Sequence, residues 1–186
     1  MKEVRSGLFE TNSSSIHAIV IRRDSKPKLP EELNPKNPYY LGYAWEVFGG
    51  NVRTIEDWKT KAIYLHVSGL NTSAYYKNPE PTKLIESWFK SIGLVVECND
   101  DENGYSIIDH PEEIQYFAEM ISKRPDLMLS FVFNPRSKIY TAMDSDSDSM
   151  AYKILDNYSD GGVYCGVPWM FLGKKRNSVV LYGKGN

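Results

Sequence analysis

This sequence predicts an α+β fold: one domain over residues 1–186, a mostly antiparallel sheet and about four helices. Three observations predict it. Segments with apolar residues at helical spacing alternate with short β-branched runs, in no regular strand-helix-strand rhythm. Clusters of glycine, proline and asparagine separate these segments. A length of 186 residues is that of one domain and suffices to bury roughly 70% of the surface the unfolded chain exposes.

Taken in order, residues 16–22 are β-branched and apolar, closed by Arg22-Arg23-Asp24, and predict a buried strand. Pro27, Pro30, Pro35 and Pro38 make residues 25–38 a surface connection, because proline lacks the backbone donor that a helix or central strand needs. Residues 39–50 are rich in Tyr and Trp, end in Gly49-Gly50, and predict extended chain packed on the core. Thr54-Ile55-Glu56-Asp57 reads as a helix start, with a hydroxyl cap and carboxylates at the positive end of the dipole. Ile55, Trp58, Ala62 and Leu65 continue it to about Val67, and Ser68-Gly69 predicts its stop. A second helix is predicted from Thr82 to Ile92, with Leu84, Ile85, Trp88, Phe89 and Ile92 on one face and Gly93 ending it.

Residues 94–98 and 105–108 are predicted to form a hairpin around the polar turn between them. Pro111 suits the first position of a third helix, in which Ile114, Phe117, Ala118 and Ile121 share a face. Residues 127–133 and 138–142 are predicted strands around an Asn134-Pro135-Arg136-Ser137 turn. A fourth helix opens at Asp148 or Ser149, and the last strand covers residues 178–182.

Composition narrows the class. The 41% hydrophobic and 25% charged content is ordinary for a globular protein, while 13% aromatic residues is high and serves either a core or a protein-binding surface. The first residues show no signal peptide and no stretch is long enough to span a bilayer, which predicts a cytoplasmic protein without membrane contact. Cys98 and Cys165 form no CxxC pair and read as free thiols, so no structural metal is predicted. The net charge of −2 is unevenly spread: residues 95–160 hold 14 acidic against 5 basic residues, and the segments on either side are net basic. Such asymmetry steers a basic partner or is neutralised internally.

Three polar clusters are candidate sites. In the first, Glu10, Thr11, Asn12, Ser13, Ser14 and Ser15 precede the first strand, which carries His17. Hydroxyls and amides of that density cradle a phosphate or orient a substrate, or else satisfy the backbone of a buried loop. Ser15 and His17 lie two apart on a strand, and no G-x-S-x-G elbow accompanies them. The second cluster, Asp109-His110, has the groups to hold a metal or move protons, and equally the groups to cap the helix that Pro111 begins. The third is Asp144-Ser145-Asp146-Ser147-Asp148. Its spacing is that of a calcium loop, but Ser149 and Leu155 occupy the positions where such a loop needs glycine and a carboxylate. It reads as a solvated turn, a weak magnesium site or an acidic mimic of nucleic-acid phosphates. His66, inside a helix pattern, reads as a packed or half-exposed histidine. The P-loop, Rossmann, metalloprotease and kinase signatures are absent, and Lys174-Lys175-Arg176 alone does not define a nucleic-acid stripe.

The segment Gly7-Leu8-Phe9-Glu10-Thr11-Asn12-Ser13-Ser14-Ser15-Ile16-His17 resembles the opening of a family of small proteins of phages, prophages and Gram-positive bacteria with no established activity. Tyr43-Ala44-Trp45-Glu46, Lys61–Leu65, Ile108-Asp109-His110 and Ser137–Thr141 leading to Asp144 follow in that family's order. The chain departs from the pattern at Pro111-Glu112 and at Ala142-Met143. The resemblance points to a polar cleft of strand ends gathering Glu10, Asn12, His17, Asp109, His110 and Asp144.

Two functions follow as expectations. One is a phage or prophage accessory protein that binds a host protein or ribonucleoprotein, for example an anti-CRISPR-like inhibitor of an effector nuclease, with Glu10, Asn12, Ser13–Ser15, Asp144, Asp146 and Asp148 in its binding surface. The alternative is a metal-assisted enzyme on a phosphorylated or nucleotide substrate, with His17, Asp109 and His110 as catalytic candidates. No cofactor is named by the sequence, and direct nucleic-acid binding is left open.

Overall fold

The computed structural model describes residues 15–23, 27–43, 47–48, 53–98, 107–108, 111–143 and 178–184. They form strands β1 (Ser15–Arg22), β2 (Tyr39–Tyr43), β3 (Val47–Phe48) and β4 (Arg53–Ile55), then helices α1 (Trp58–Tyr76) and α2 (Glu80–Ser91). Strands β5 (Leu94–Cys98) and β6 (Ile107–Ile108), helices α3 (Pro111–Ser122) and α4 (Pro125–Phe133), and strands β7 (Lys138–Met143) and β8 (Ser178–Lys184) complete the order. The fold is α+β, as the sequence predicts.

An antiparallel sheet in the order β4-β7-β1-β8 is the largest assembly. β1 is a continuous apolar run because Ile19, Val20 and Ile21 are all buried, so both of its faces are covered at that point. Ile55, Ile139 and Ile19 are register partners across three strands, and all three are buried.

The helices gather around α1, which packs against α2, α3 and α4. Tyr64 of α1 is fully buried, and its ring meets Phe48 of β3 at 5.0 Å, Phe117 of α3 at 6.1 Å and Phe131 of α4 at 6.4 Å between centroids. A second ring cluster joins Trp58, Trp88 and Phe133. Much of the high aromatic content is therefore core, where ring pairs at these separations add to area burial. Among the described residues no helix is long and apolar enough to cross a membrane.

Several expectations are corrected. Thr54 and Ile55 belong to β4, and α1 begins four residues later because the Asp57 carboxylate caps it, accepting from the Thr60 amide at 2.8 Å. Ser68-Gly69 does not stop α1. The Ser68 hydroxyl donates back to the Leu65 carbonyl at 2.7 Å, and Gly69 is a packing residue whose missing Cβ admits α2, with the Thr82 Cα 3.1 Å from where that Cβ would sit.

Among the described residues the predicted 94–98/105–108 hairpin does not form. β5 pairs in parallel with β2, and the described part of the second strand, β6, pairs in parallel with β3. Residues 127–133 form not a strand but helix α4: Pro125 opens it, Asp126 favours its N-terminus, and it is apolar all round because its buried residues include Leu127, Met128, Phe131, Val132 and Phe133. The predicted turn at residues 134–137 is present, with the Ser137 amide donating to the Asn134 carbonyl at 3.0 Å, but it joins a helix to a strand. Leu84, assigned to the apolar face of α2, is exposed. The predicted helix from residue 148 or 149 and Cys165 lie outside the described residues, while Cys98 is a free, half-buried thiol.

Candidate functional site

Of the predicted site residues, Ser15 and His17 lie on β1. Ser15 is the register partner of Met143, and His17 lies between Thr141 of β7 and Gly183 of β8. Glu10, Asn12, Ser13, Ser14, Asp109, His110, Asp144, Asp146 and Asp148 lie outside the described residues. The register nevertheless carries information about how the chain is joined. Ser15 is the last residue of the hydroxyl-rich run and Met143 the residue before the acidic run, so both runs attach to the sheet at neighbouring strand ends. β6 ends at Ile108, immediately before Asp109, and its backbone is held to α1 where the Ile108 amide donates to Asn71 Oδ1 at 3.0 Å.

Among the described residues, two polar constellations are built from parts distant in sequence. In the first, the Lys61 ammonium is buried on α1 and donates to the Asn134 carbonyl at 2.8 Å and the Ser137 carbonyl at 3.0 Å. The Ser137 hydroxyl donates to the Ser130 carbonyl at 2.8 Å and accepts from the Arg22 amide at 2.9 Å, and the Asn134 side chain donates to the Arg22 carbonyl at 2.9 Å. Burial pushes the Lys61 pKa down to about 8, opposed by the Asp57 and Glu56 carboxylates, so the group remains mostly protonated at neutral pH. Its bonds tie the turn between α4 and β7 to α1, which is structural work: they satisfy the carbonyl of the α4 C-cap, Asn134, and that of Ser137, the last residue before β7.

The second constellation is Tyr43–His66–Glu86. The buried His66 ring has the Tyr43 hydroxyl 3.1 Å from Nδ1 and Glu86 Oε1 3.4 Å from Nε2. A carboxylate only accepts, so Nε2 carries the proton and Nδ1 accepts from Tyr43. Burial lowers the His66 pKa below the ordinary imidazole value, opposed by the Glu86 and Glu97 carboxylates. Glu86 opens onto a groove of about 510 Å³ lined also by Tyr40, Phe89, Lys90, Leu94 and Glu97. No local signal in the sequence could have found this set, since its members come from β2, α1 and α2 and lie 23 and 20 residues apart.

Among the described residues no group of three or more His, Cys, Asp and Glu side chains is placed to hold a metal ion. Comparison with protein-family models, with curated proteins and with solved structures finds no match to this chain.

Proposed function

We propose that this chain works by binding a host macromolecule, as a phage or prophage accessory protein whose acidic run, Asp144 to Asp148, meets the basic nucleic-acid channel of a defence nuclease. The observation that carries the reading is the pairing of Ser15 with Met143, which joins the hydroxyl-rich and acidic runs to adjacent strands of one sheet. β1 is paired on both sides, giving these attachments a firm base. The electrostatics favour the same partner: residues 95–160 carry 14 acidic against 5 basic side chains, and a field of that sign speeds encounter with a positive channel. The buried polar side chains Lys61 and His66 are engaged in internal bonds.

The test mixes the purified chain with a guide-loaded effector nuclease and follows co-elution and target cleavage. The expected result is a stable complex and suppressed cleavage, both weakened by added salt. A triple Asp144→Asn, Asp146→Asn, Asp148→Asn variant with unchanged melting restores cleavage. A folded native chain that neither co-elutes with nor slows such nucleases defeats the proposal.

The same strand-end convergence also favours a second reading, a metal-assisted enzyme on a phosphorylated or nucleotide substrate in which the serines cradle phosphate and the aspartates hold the ion. Calorimetric titration with magnesium and a nucleotide separates the two. Heat that disappears in Asp144→Asn supports the enzyme, and a flat titration supports the binder.

A further inference from the structure

The groove between β2, α2 and β5 is lined by none of the described residues on which the proposed function rests, and its chemistry is independent of that function. Its apolar lining is the half-buried Pro38 and Val95, with Phe89 and Leu94 fully buried behind them. Two carboxylates face it, Glu86 from the last turns of α2 and Glu97 from β5. Neither has a cation among the described residues: Glu86 meets only the neutral His66 ring, and Lys90, on the same lining, forms no ion pair with either. Tyr40 stands at the margin with 67% of its surface exposed, an open aromatic face. The groove borders the C-terminal half of α2, where the helix dipole favours positive charge.

We infer that this groove is a docking site for an arginine-bearing segment of a partner protein. Arginine matches each part of it. The three-carbon stem lies along Pro38 and Val95. The planar guanidinium offers five donors to the two carboxylates, and its face stacks on the Tyr40 ring. Lysine fits less well, because a compact, strongly hydrated ammonium gains little from a stacking ring and does not bridge two carboxylates with fixed geometry.

The test titrates the isotope-labelled full chain with three short Gly/Ser peptides that differ only at two positions: arginine, lysine or the neutral isostere citrulline. Amide shifts and fluorescence anisotropy report binding. The arginine peptide is expected to move the amides of Tyr40 and Leu94–Cys98, with affinity that falls as salt rises. The citrulline peptide binds at least tenfold more weakly, and the lysine peptide falls between. Glu86→Gln with Glu97→Gln lowers arginine-peptide affinity at least tenfold, as Glu97→Gln alone does in part. Glu80→Gln, exposed at the other end of α2, leaves it unchanged. Equal binding of the citrulline peptide, an unaltered affinity in the folded double variant, or no shift with the arginine peptide at millimolar concentration overturns the assignment.

Discussion

Lys61 is only 1% exposed, and a buried ammonium is costly unless its protons are taken up. Here the Asn134 and Ser137 carbonyls, at the two ends of the turn between α4 and β7, accept them. Lys61→Met keeps the volume and removes the donor these carbonyls share, so it should lower unfolding free energy by about 2 kcal/mol, the cost of buried polar groups left unpaired. A denaturant melt whose midpoint does not move would show that the contact is dispensable. His66 sets a pH dependence of definite sign. Burial lowers its folded pKa below the unfolded value of 6.5, so in the window below 6.5 the unfolded chain binds the proton first. Stability from this residue is present above pH 6.5 and is lost as pH falls toward the folded value. Melting temperature should therefore drop between pH 7 and pH 5, and the slope should shrink in His66→Gln.

The elements meet at glycines that leave no room for a side chain. At Gly69 a Cβ would sit 3.1 Å from the Thr82 backbone Cα and 3.1 Å from Ile85 Cδ1. Gly69→Ala should thus destabilise by about 1 kcal/mol, because overpacking against backbone outweighs the similar gain in helix propensity. A stabilised variant would mean that α2 can retreat. Gly93 follows α2 at φ +78°, and a Cβ there would lie 2.2 Å from the Asn34 carbonyl carbon, so Gly93→Ala should cost more than Gly69→Ala in the same melt. The sequence showed the first of these glycines but not its role. Gly69 looks like a stop when α1 is read alone, since only contact with α2 reveals why it is small. Seven residues of α4 in a row, nearly all apolar, carry no readable period; Pro125-Asp126 was the one local sign of a helix start. The strands predicted at residues 16–22, 94–98 and 178–182, observed as β1, β5 and β8, were legible because β-branched runs bounded by turn residues need no partner to be recognised. Their pairing was not: β5 finds β2 rather than its neighbour in sequence, a choice made by tertiary packing. The Tyr43–His66–Glu86 set depended on that pairing and was hidden for the same reason.

Across the whole molecule, the sheet and the helical assembly differ in how their backbones are held. β1 donates and accepts on both sides, while the β2–β5 and β3–β6 ladders are each two-stranded among the described residues. Native-state hydrogen exchange should therefore protect the amides of Ile19, Val20 and Ile21 most strongly and those of β3 and β6 far less. Comparable rates in the two sets would show that the four-stranded sheet is not the most stable unit. The order β4-β7-β1-β8 also has a consequence for synthesis on the ribosome. Arg22 emerges long before its partner Ser178, and at about 5–20 residues per second the delay is on the order of ten seconds. Until then one flank of an oily strand has no mate, and the nascent polypeptide must be shielded by a chaperone or risk sticking to its neighbours on the same polysome.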